Sequence, residues 1–262
     1  MFPTSFFVLG LSLSALLAWA FSWGGHRTLT ALGVGAGCAI GLIAAGGWLG
    51  LPPSEAWGVV SIAAIAGAVL GLIEGVAPVV VTWGLRFLVV QAVVGLVLRP
   101  LTPDTFSIDT AALRWSGLSA AAFLVWWHLD RLGERLQGAA WPIAWWMIGV
   151  GTAVVLVMGG SLRLGQLGMV TASVLTGLVL GSLPKRNRTM GAGPLASIVL
   201  SWLGLLLNGT FYNEVPEASV ALLACAPCAC WVGCLGQGWK PKLAMTAALT
   251  VVIGAAIVFA AI

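Results

Sequence analysis

The feature that most constrains this chain is the length of its uncharged stretches. Charged residues make up 8% of the 262 positions and hydrophobic residues 60%, so the chain lacks the polar surface of a soluble domain. A helix needs about 20 mostly apolar residues to cross a bilayer. Charges, Pro-Pro pairs and short polar clusters separate ten such runs, at 4–23, 29–49, 56–74, 77–98, 113–129, 139–158, 165–183, 193–212, 217–236 and 241–262.

These runs predict an all-α fold, a polytopic bundle of about ten transmembrane helices joined by short loops. They use nearly the whole chain, so residues 1–262 are predicted to form a single integral membrane domain with the lipid bilayer as its main contact. The first run lacks the basic segment that precedes the apolar part of a secretory signal, and we expect it to be retained as a helix.

The basic residues predict the orientation in the membrane. If the N-terminus is outside, three basic residues lie in outer connections and eight lie in cytoplasmic ones. Because cytoplasmic loops are enriched in Lys and Arg, both termini are predicted to face outward, and we expect the bacterial inner membrane. The eight are Arg27, Arg131, Arg135, Lys185, Arg186, Arg188, Lys240 and Lys242.

The distribution of these basic residues also indicates which partners the chain binds. They are scattered between apolar runs and form no long block, which argues against nucleic acid. Lys185, Arg186 and Arg188 lie close together and are predicted to contact anionic lipid headgroups. The sequence leaves open whether the chain also binds a second copy of itself or a partner in a membrane complex.

Glycine spacing predicts close helix packing. Glycines at intervals of four let two backbones approach each other in lipid. The second and third runs each carry a double G-x-x-x-G pattern, so we expect these two helices to be neighbours. The residues are Gly33, Gly37 and Gly41, then Gly67, Gly71 and Gly75. The segments at 37–46 and 67–76 resemble each other and leave an internal repeat open.

Tryptophans cluster near the predicted helix ends. Because indole rings favour the membrane–water interface, this distribution indicates an aromatic belt. On the predicted cytoplasmic side the belt contains Trp126, Trp127, Trp141, Trp145 and Trp146.

Arg86 lies well inside the fourth apolar run. An ionisable residue within a membrane is costly, and each one is a hypothesis for a functional site. Glu74 is its predicted ion-pair partner, because a short turn brings both residues to the same end of two consecutive helices. Two interpretations are open: the pair holds the helices together, or Arg86 binds an anion or gates a path.

Small polar residues form helix faces inside the membrane. Ser197, Ser201 and Asn208 fall on one face of the eighth helix at 3.6 residues per turn, and Gln91 follows Arg86 on the fourth. Such residues either form hydrogen bonds between helices or line a path for a solute. The predicted substrate-binding set is therefore Arg86, Gln91, Ser197, Ser201 and Asn208.

Four of the five cysteines lie in the stretch CAPCACWVGC at 225–234. On a continuous α-helix Cys225 and Cys228 are close, but Cys230 and Cys234 lie at about 140° and 180° from Cys225, so the four cannot bind one metal ion. The C-x-P-C pattern of Cys225 and Cys228 resembles redox motifs, and Pro227 predicts a kink. Cysteine as a packing residue is the simpler interpretation.

These observations favour a secondary transporter or permease for a small solute. The alternatives are a non-catalytic membrane subunit or scaffold that docks partner proteins, and a membrane thiol-disulfide oxidoreductase that uses Cys225 and Cys228. The sequence has no motif for an esterase elbow, a zinc peptidase or a phosphate loop, so we predict no catalytic residues, no metal and no cofactor.

Overall fold

Every regular element in the described part of the chain is helical. A computed structural model describes residues 4–23, 27–46, 55–102, 104–136, 138–183, 192–236 and 238–262. The helices are α1 (Thr4–Trp23), α2 (Arg27–Gly46), α3 (Gly58–Ile73), α4 (Val79–Leu98), α5 (Ile108–Arg135), α6 (Ala140–Met158), α7 (Leu162–Ser182), α8 (Ala192–Tyr212), α9 (Glu217–Cys225) and α10 (Trp239–Ala261). Two 3-10 helices, Arg99–Leu101 and Ala226–Cys234, continue α4 and α9.

Seven of these segments are long and apolar enough to cross a membrane, so the chain is a multi-pass membrane protein. They are Thr28–Ala45, Val79–Leu101, Ala140–Met158, Leu162–Ser182, Gly193–Tyr212, Glu217–Cys234 and Trp239–Ala261. Shorter apolar helices span Phe7–Ser22 and Gly58–Ile73. The described residues thus contain a helix at each of the ten predicted runs, whereas ten spans and the orientation stay predictions.

Two of the helix starts have a local cause in the sequence. The hydroxyl of Ser107 accepts a hydrogen bond from the Thr110 N–H at 3.3 Å and caps α5. Ser161 caps α7 in the same way, at 3.2 Å from the Leu164 N–H. Each side chain satisfies one of the backbone donors that a helix start leaves without a partner.

The glycine faces pack differently from the prediction. α2 and α3 are neighbours as expected. Of the six glycines in the two patterns, Gly75 lies closest to Thr28 of α2, but the other five lie closest to α1 or α8. A Cβ added at Gly37 would lie 2.9 Å from the Ser14 carbonyl oxygen of α1, and one at Gly67 would lie 2.5 Å from Ser197 Cα of α8. The two patterns therefore serve the α1–α2 and α3–α8 contacts, because each glycine removes the side chain where two backbones meet.

Three of the tryptophans assigned to the interface are buried instead. Trp126, Trp141 and Trp145 are at most 1% exposed. Trp145 packs edge-on against Trp141 and against Trp202, whose Nε1 donates to Thr152 Oγ1 at 3.1 Å. The interfacial assignment is wrong for these three, because position near a helix end does not reveal which face of the helix meets lipid.

α4 and α5 form a helical hairpin that places the candidate site. α4 packs on α5 and also contacts α3 and α8. Since the chain turns back between α3 and α4 and again between α4 and α5, the end of α3, the start of α4 and the end of α5 meet at one end of the bundle.

Candidate functional site

A buried ion-pair cluster lies where α3, α4 and α5 meet. Arg86 Nε donates to Glu74 Oε1 at 2.6 Å, and Arg86 Nη1 donates to Asp130 Oδ2. The side chains of Arg86 and Glu74 are 3% and 2% exposed, and that of Asp130 is 15% exposed. One guanidinium therefore joins three helices, and bonds between charged partners are stronger than neutral ones.

Two indole rings cover the guanidinium. Its central carbon lies 4.5 Å from the ring centre of Trp83 on α4 and 5.1 Å from that of Trp126 on α5. A cation over an aromatic face is attracted by the ring quadrupole, and the attraction grows where water is excluded. The burial of Trp126 thus has a local reason: it closes one side of the ion-pair cluster.

The cluster carries more negative than positive charge. Arg86 supplies one positive charge against the two carboxylates that it contacts. Glu74 Oε2 and Asp130 Oδ1 are both buried and accept no hydrogen bond from any described residue. A buried acceptor without a partner is costly, so these two oxygens mark the place where a further donor would stabilise the cluster.

A cavity of ≈ 370 Å³ lies beside the ion pairs. Its wall includes Glu74, Arg86 and Asp130, and its charged residues are completed by Arg131 and Glu134. Trp83 and Trp127 also line it. The cavity wall therefore combines charged and aromatic side chains, a lining that suits a small charged solute.

The other residues of the predicted binding set lie elsewhere. Gln91 Oε1 accepts from Ser119 Oγ of α5 at 3.1 Å. On α8, Ser201 Oγ donates to the Ser197 carbonyl at 2.7 Å and Asn208 Nδ2 donates to the Gly204 carbonyl at 2.8 Å. None of the four lines the cavity at Arg86, so the structure brings together Arg86 and Glu74 but not the polar face of α8.

The cysteine stretch is not one continuous α-helix, which corrects the angles predicted for it. From Ala226 onward the backbone is a 3-10 helix, whose three residues per turn place Cys225, Cys228 and Cys234 on the same face. Cys225 and Cys228 are exposed, whereas Cys230 and Cys38 are buried. No cluster of metal-binding side chains occurs among the described residues.

Asp130 is the residue of the site that the sequence prediction missed. It lies 44 positions after Arg86, and the fifth predicted run ends at 129, just before it. One signal was available: Trp126, Asp130 and Glu134 follow each other at intervals of four, the spacing of one helix face. The predicted headgroup contacts Lys185, Arg186 and Arg188 lie outside the described residues.

Comparison with protein-family models, with curated proteins and with solved structures finds no match for this chain.

Proposed function

We propose that this membrane protein is a secondary transporter for a small solute, and that the cavity beside Glu74, Arg86 and Asp130 is its binding site. The observation that carries the proposal is the buried ion-pair cluster with two carboxylate oxygens that lack a partner. Charges within a membrane bundle are rare because burial is costly, and they mark ion and substrate pathways.

Part of the order of helix contacts supports this proposal, although the α1–α7 and α6–α10 contacts have no counterparts of similar extent between α2 and α6 or between α1 and α5. α1 packs on α2 as α6 packs on α7, and α4 packs on α5 as α9 with its 3-10 helix packs on α10. Across the bundle, α2 contacts α7 and α3 contacts α8. Five helices in each half would give the halves opposite orientations, the inverted repeat that many secondary transporters use.

The same proposal includes ten spans, both termini outside and the bacterial inner membrane. The ion-pair cluster then lies at the cytoplasmic end, which also carries Arg131, Arg135 and the start of α10. Arg86 orients the solute through the two carboxylates that it holds in place. Gln91 joins α4 to α5 through its hydrogen bond with Ser119. Ser197, Ser201 and Asn208 form a polar face of α8, on which Ser201 and Asn208 bond to backbone carbonyls of the same helix.

Reconstitution in liposomes tests the proposal. Uptake of a panel of small amines, carboxylates and neutral solutes is measured with wild-type protein, with Glu74→Gln and with Asp130→Asn. We expect one class to enter faster than into empty liposomes, and both variants to slow that entry because each removes a charge of the site. Asp109→Asn, an exposed carboxylate at the other end of α5, is the matched control.

Two results would contradict the proposal. Uptake of every solute at the rate of empty liposomes would contradict transport as the function. Full uptake by both Glu74→Gln and Asp130→Asn would contradict the cavity at Arg86 as the binding site. The double variant Cys225→Ala/Cys228→Ala tests the thiol alternative, since loss of uptake there would assign a role to the exposed cysteines instead.

A further inference from the structure

The charge of the cavity wall selects the kind of solute that it binds. Three carboxylates, Glu74, Asp130 and Glu134, face two guanidinium groups, Arg86 and Arg131. Among the described residues of the wall, one negative charge is therefore uncompensated. An anion at Arg86 would be repelled by the two carboxylates that this residue already contacts, whereas a monovalent cation completes the charge balance.

The two carboxylate oxygens without a hydrogen-bond partner further limit which cation the cavity can bind. Glu74 Oε2 and Asp130 Oδ1 are acceptors, and each ionised carboxylate has no proton to donate. A ligand that satisfies them must donate hydrogen bonds. A quaternary ammonium has the charge but no N–H group, while a primary ammonium has the charge and three donors.

The volume of the cavity and the tryptophans in its wall indicate what the rest of the cation is like. A cavity of ≈ 370 Å³ is larger than a bare metal ion needs, and Trp83 and Trp127 line it beside the carboxylates. We propose, resting on the transport function above, that the cavity binds a small organic cation through a primary ammonium group that donates to Glu74 Oε2 and Asp130 Oδ1. The carbon chain of this cation packs against the indole rings, which also favour positive charge nearby.

Calorimetric titration of the purified full-length protein in detergent tests this site. Three probes are compared: propylammonium, tetramethylammonium as a cation without donors, and propanol as a neutral analogue of similar size. We expect propylammonium to bind and the other two to bind about tenfold more weakly or not at all, because a hydrogen bond to a charged group is lost.

Variants connect the binding to the two oxygens. Glu74→Gln and Asp130→Asn are each expected to weaken propylammonium binding by about tenfold or more, while Asp109→Asn leaves it unchanged. Asp130→Asn keeps the Glu74–Arg86 pair, so it remains informative if Glu74→Gln does not fold. The melting temperature of each variant, measured in the same detergent, identifies a variant that has lost its fold.

The binding and uptake measurements can fail independently, so they test the ammonium site and the transport function separately. Equal binding of propanol or tetramethylammonium overturns the ammonium site, as does the absence of propylammonium binding to folded wild-type protein. Binding of propylammonium without uptake of any solute contradicts transport and keeps the site. Uptake of a carboxylate or a neutral solute by protein that does not bind propylammonium keeps transport and overturns the site.

Discussion

Arg86 is the residue on which three helices depend. Replacing it by glutamine would leave Glu74 and Asp130 buried without a positive partner, which costs about 3–5 kcal/mol for a buried pair broken on one side. We therefore expect Arg86→Gln to lower the thermal unfolding temperature strongly in detergent.

Arg131→Gln is the matched control for that variant. Arg131 is exposed at the rim of the same cavity and contacts the ring of Trp127 rather than a carboxylate. Its removal should change the unfolding temperature little. Equal unfolding temperatures for the two variants would show that the ion pairs of Arg86 do not stabilise the bundle.

The limits of sequence prediction are clear at this scale. Arg86 could be singled out because a charge inside an apolar run is costly, and Glu74 because it precedes Arg86 by 12 positions across one turn. Asp130 lies on α5, 44 positions after Arg86. No rule that relates residues close in sequence pairs it with Arg86. Its role depends on how α5 lies against α4, which is a tertiary property.

At the scale of helices, the α3–α8 contact is a close approach of two backbones. Gly67 on α3 faces Ser197 on α8, and a Cβ at position 67 would lie 2.5 Å from Ser197 Cα. Gly67→Ala should separate the two helices and lower the unfolding temperature in detergent, because backbone atoms cannot move aside as a flexible side chain can.

Gly84→Ala on α4 gives the comparison. No atom lies within 4 Å of a Cβ built there, and alanine favours a helix over glycine by about 1 kcal/mol. We expect this variant to be as stable as the wild type or slightly more stable. If both alanine variants behaved alike, the close α3–α8 contact would be absent in solution.

A second prediction at the scale of helices concerns the cysteines of the 3-10 helix after α9. Cys225 and Cys228 are exposed on it, whereas Cys230 and Cys38 are buried. The exposed pair lies in a candidate membrane span and so faces lipid or detergent, which N-ethylmaleimide can enter. In detergent this reagent should label the exposed pair before the buried pair, since a thiol must be reached to react. Peptide mass spectrometry over a time course measures the order, and protein unfolded in dodecyl sulfate should label at all five cysteines.

Early labelling of Cys230 would contradict the 3-10 geometry. The sequence could indicate a change at Pro227, because proline removes an N–H from the helix ladder. It could not indicate the type of helix that follows. A 3-10 helix of nine residues is unusually long, and this segment packs against α10.

At the scale of the whole molecule, the ten runs located the helices because apolar length is a direct requirement of the bilayer. Which helix faces meet each other could not be read from the same pattern. Trp126 and Trp127 are adjacent in sequence, yet the first is buried and the second is 45% exposed. Burial here depends on neighbouring helices rather than on the hydropathy of the residue.

The orientation can be checked with alkaline phosphatase fusions, because this enzyme forms its disulfides and becomes active outside the cytoplasm. A fusion after Ile262 should be active, since ten spans return the C-terminus to the outer side. A fusion after Leu136, between α5 and α6, should be inactive. Activity in the second fusion and not in the first would reverse the proposed orientation.

The cluster at Arg86 also bears on how the chain enters the membrane. An arginine at the centre of a spanning helix costs about 3 kcal/mol on insertion, and the chain emerges from its N-terminus. Glu74 is synthesised before Arg86, so α4 can be inserted with its charge already neutralised. α5, which is not among the apolar spans, is the last of the three helices to emerge, and Asp130 can then bind an arginine that is already paired with Glu74. Arg86, which joins three helices in the folded bundle, therefore also helps α5, the least apolar of the three, to enter the membrane.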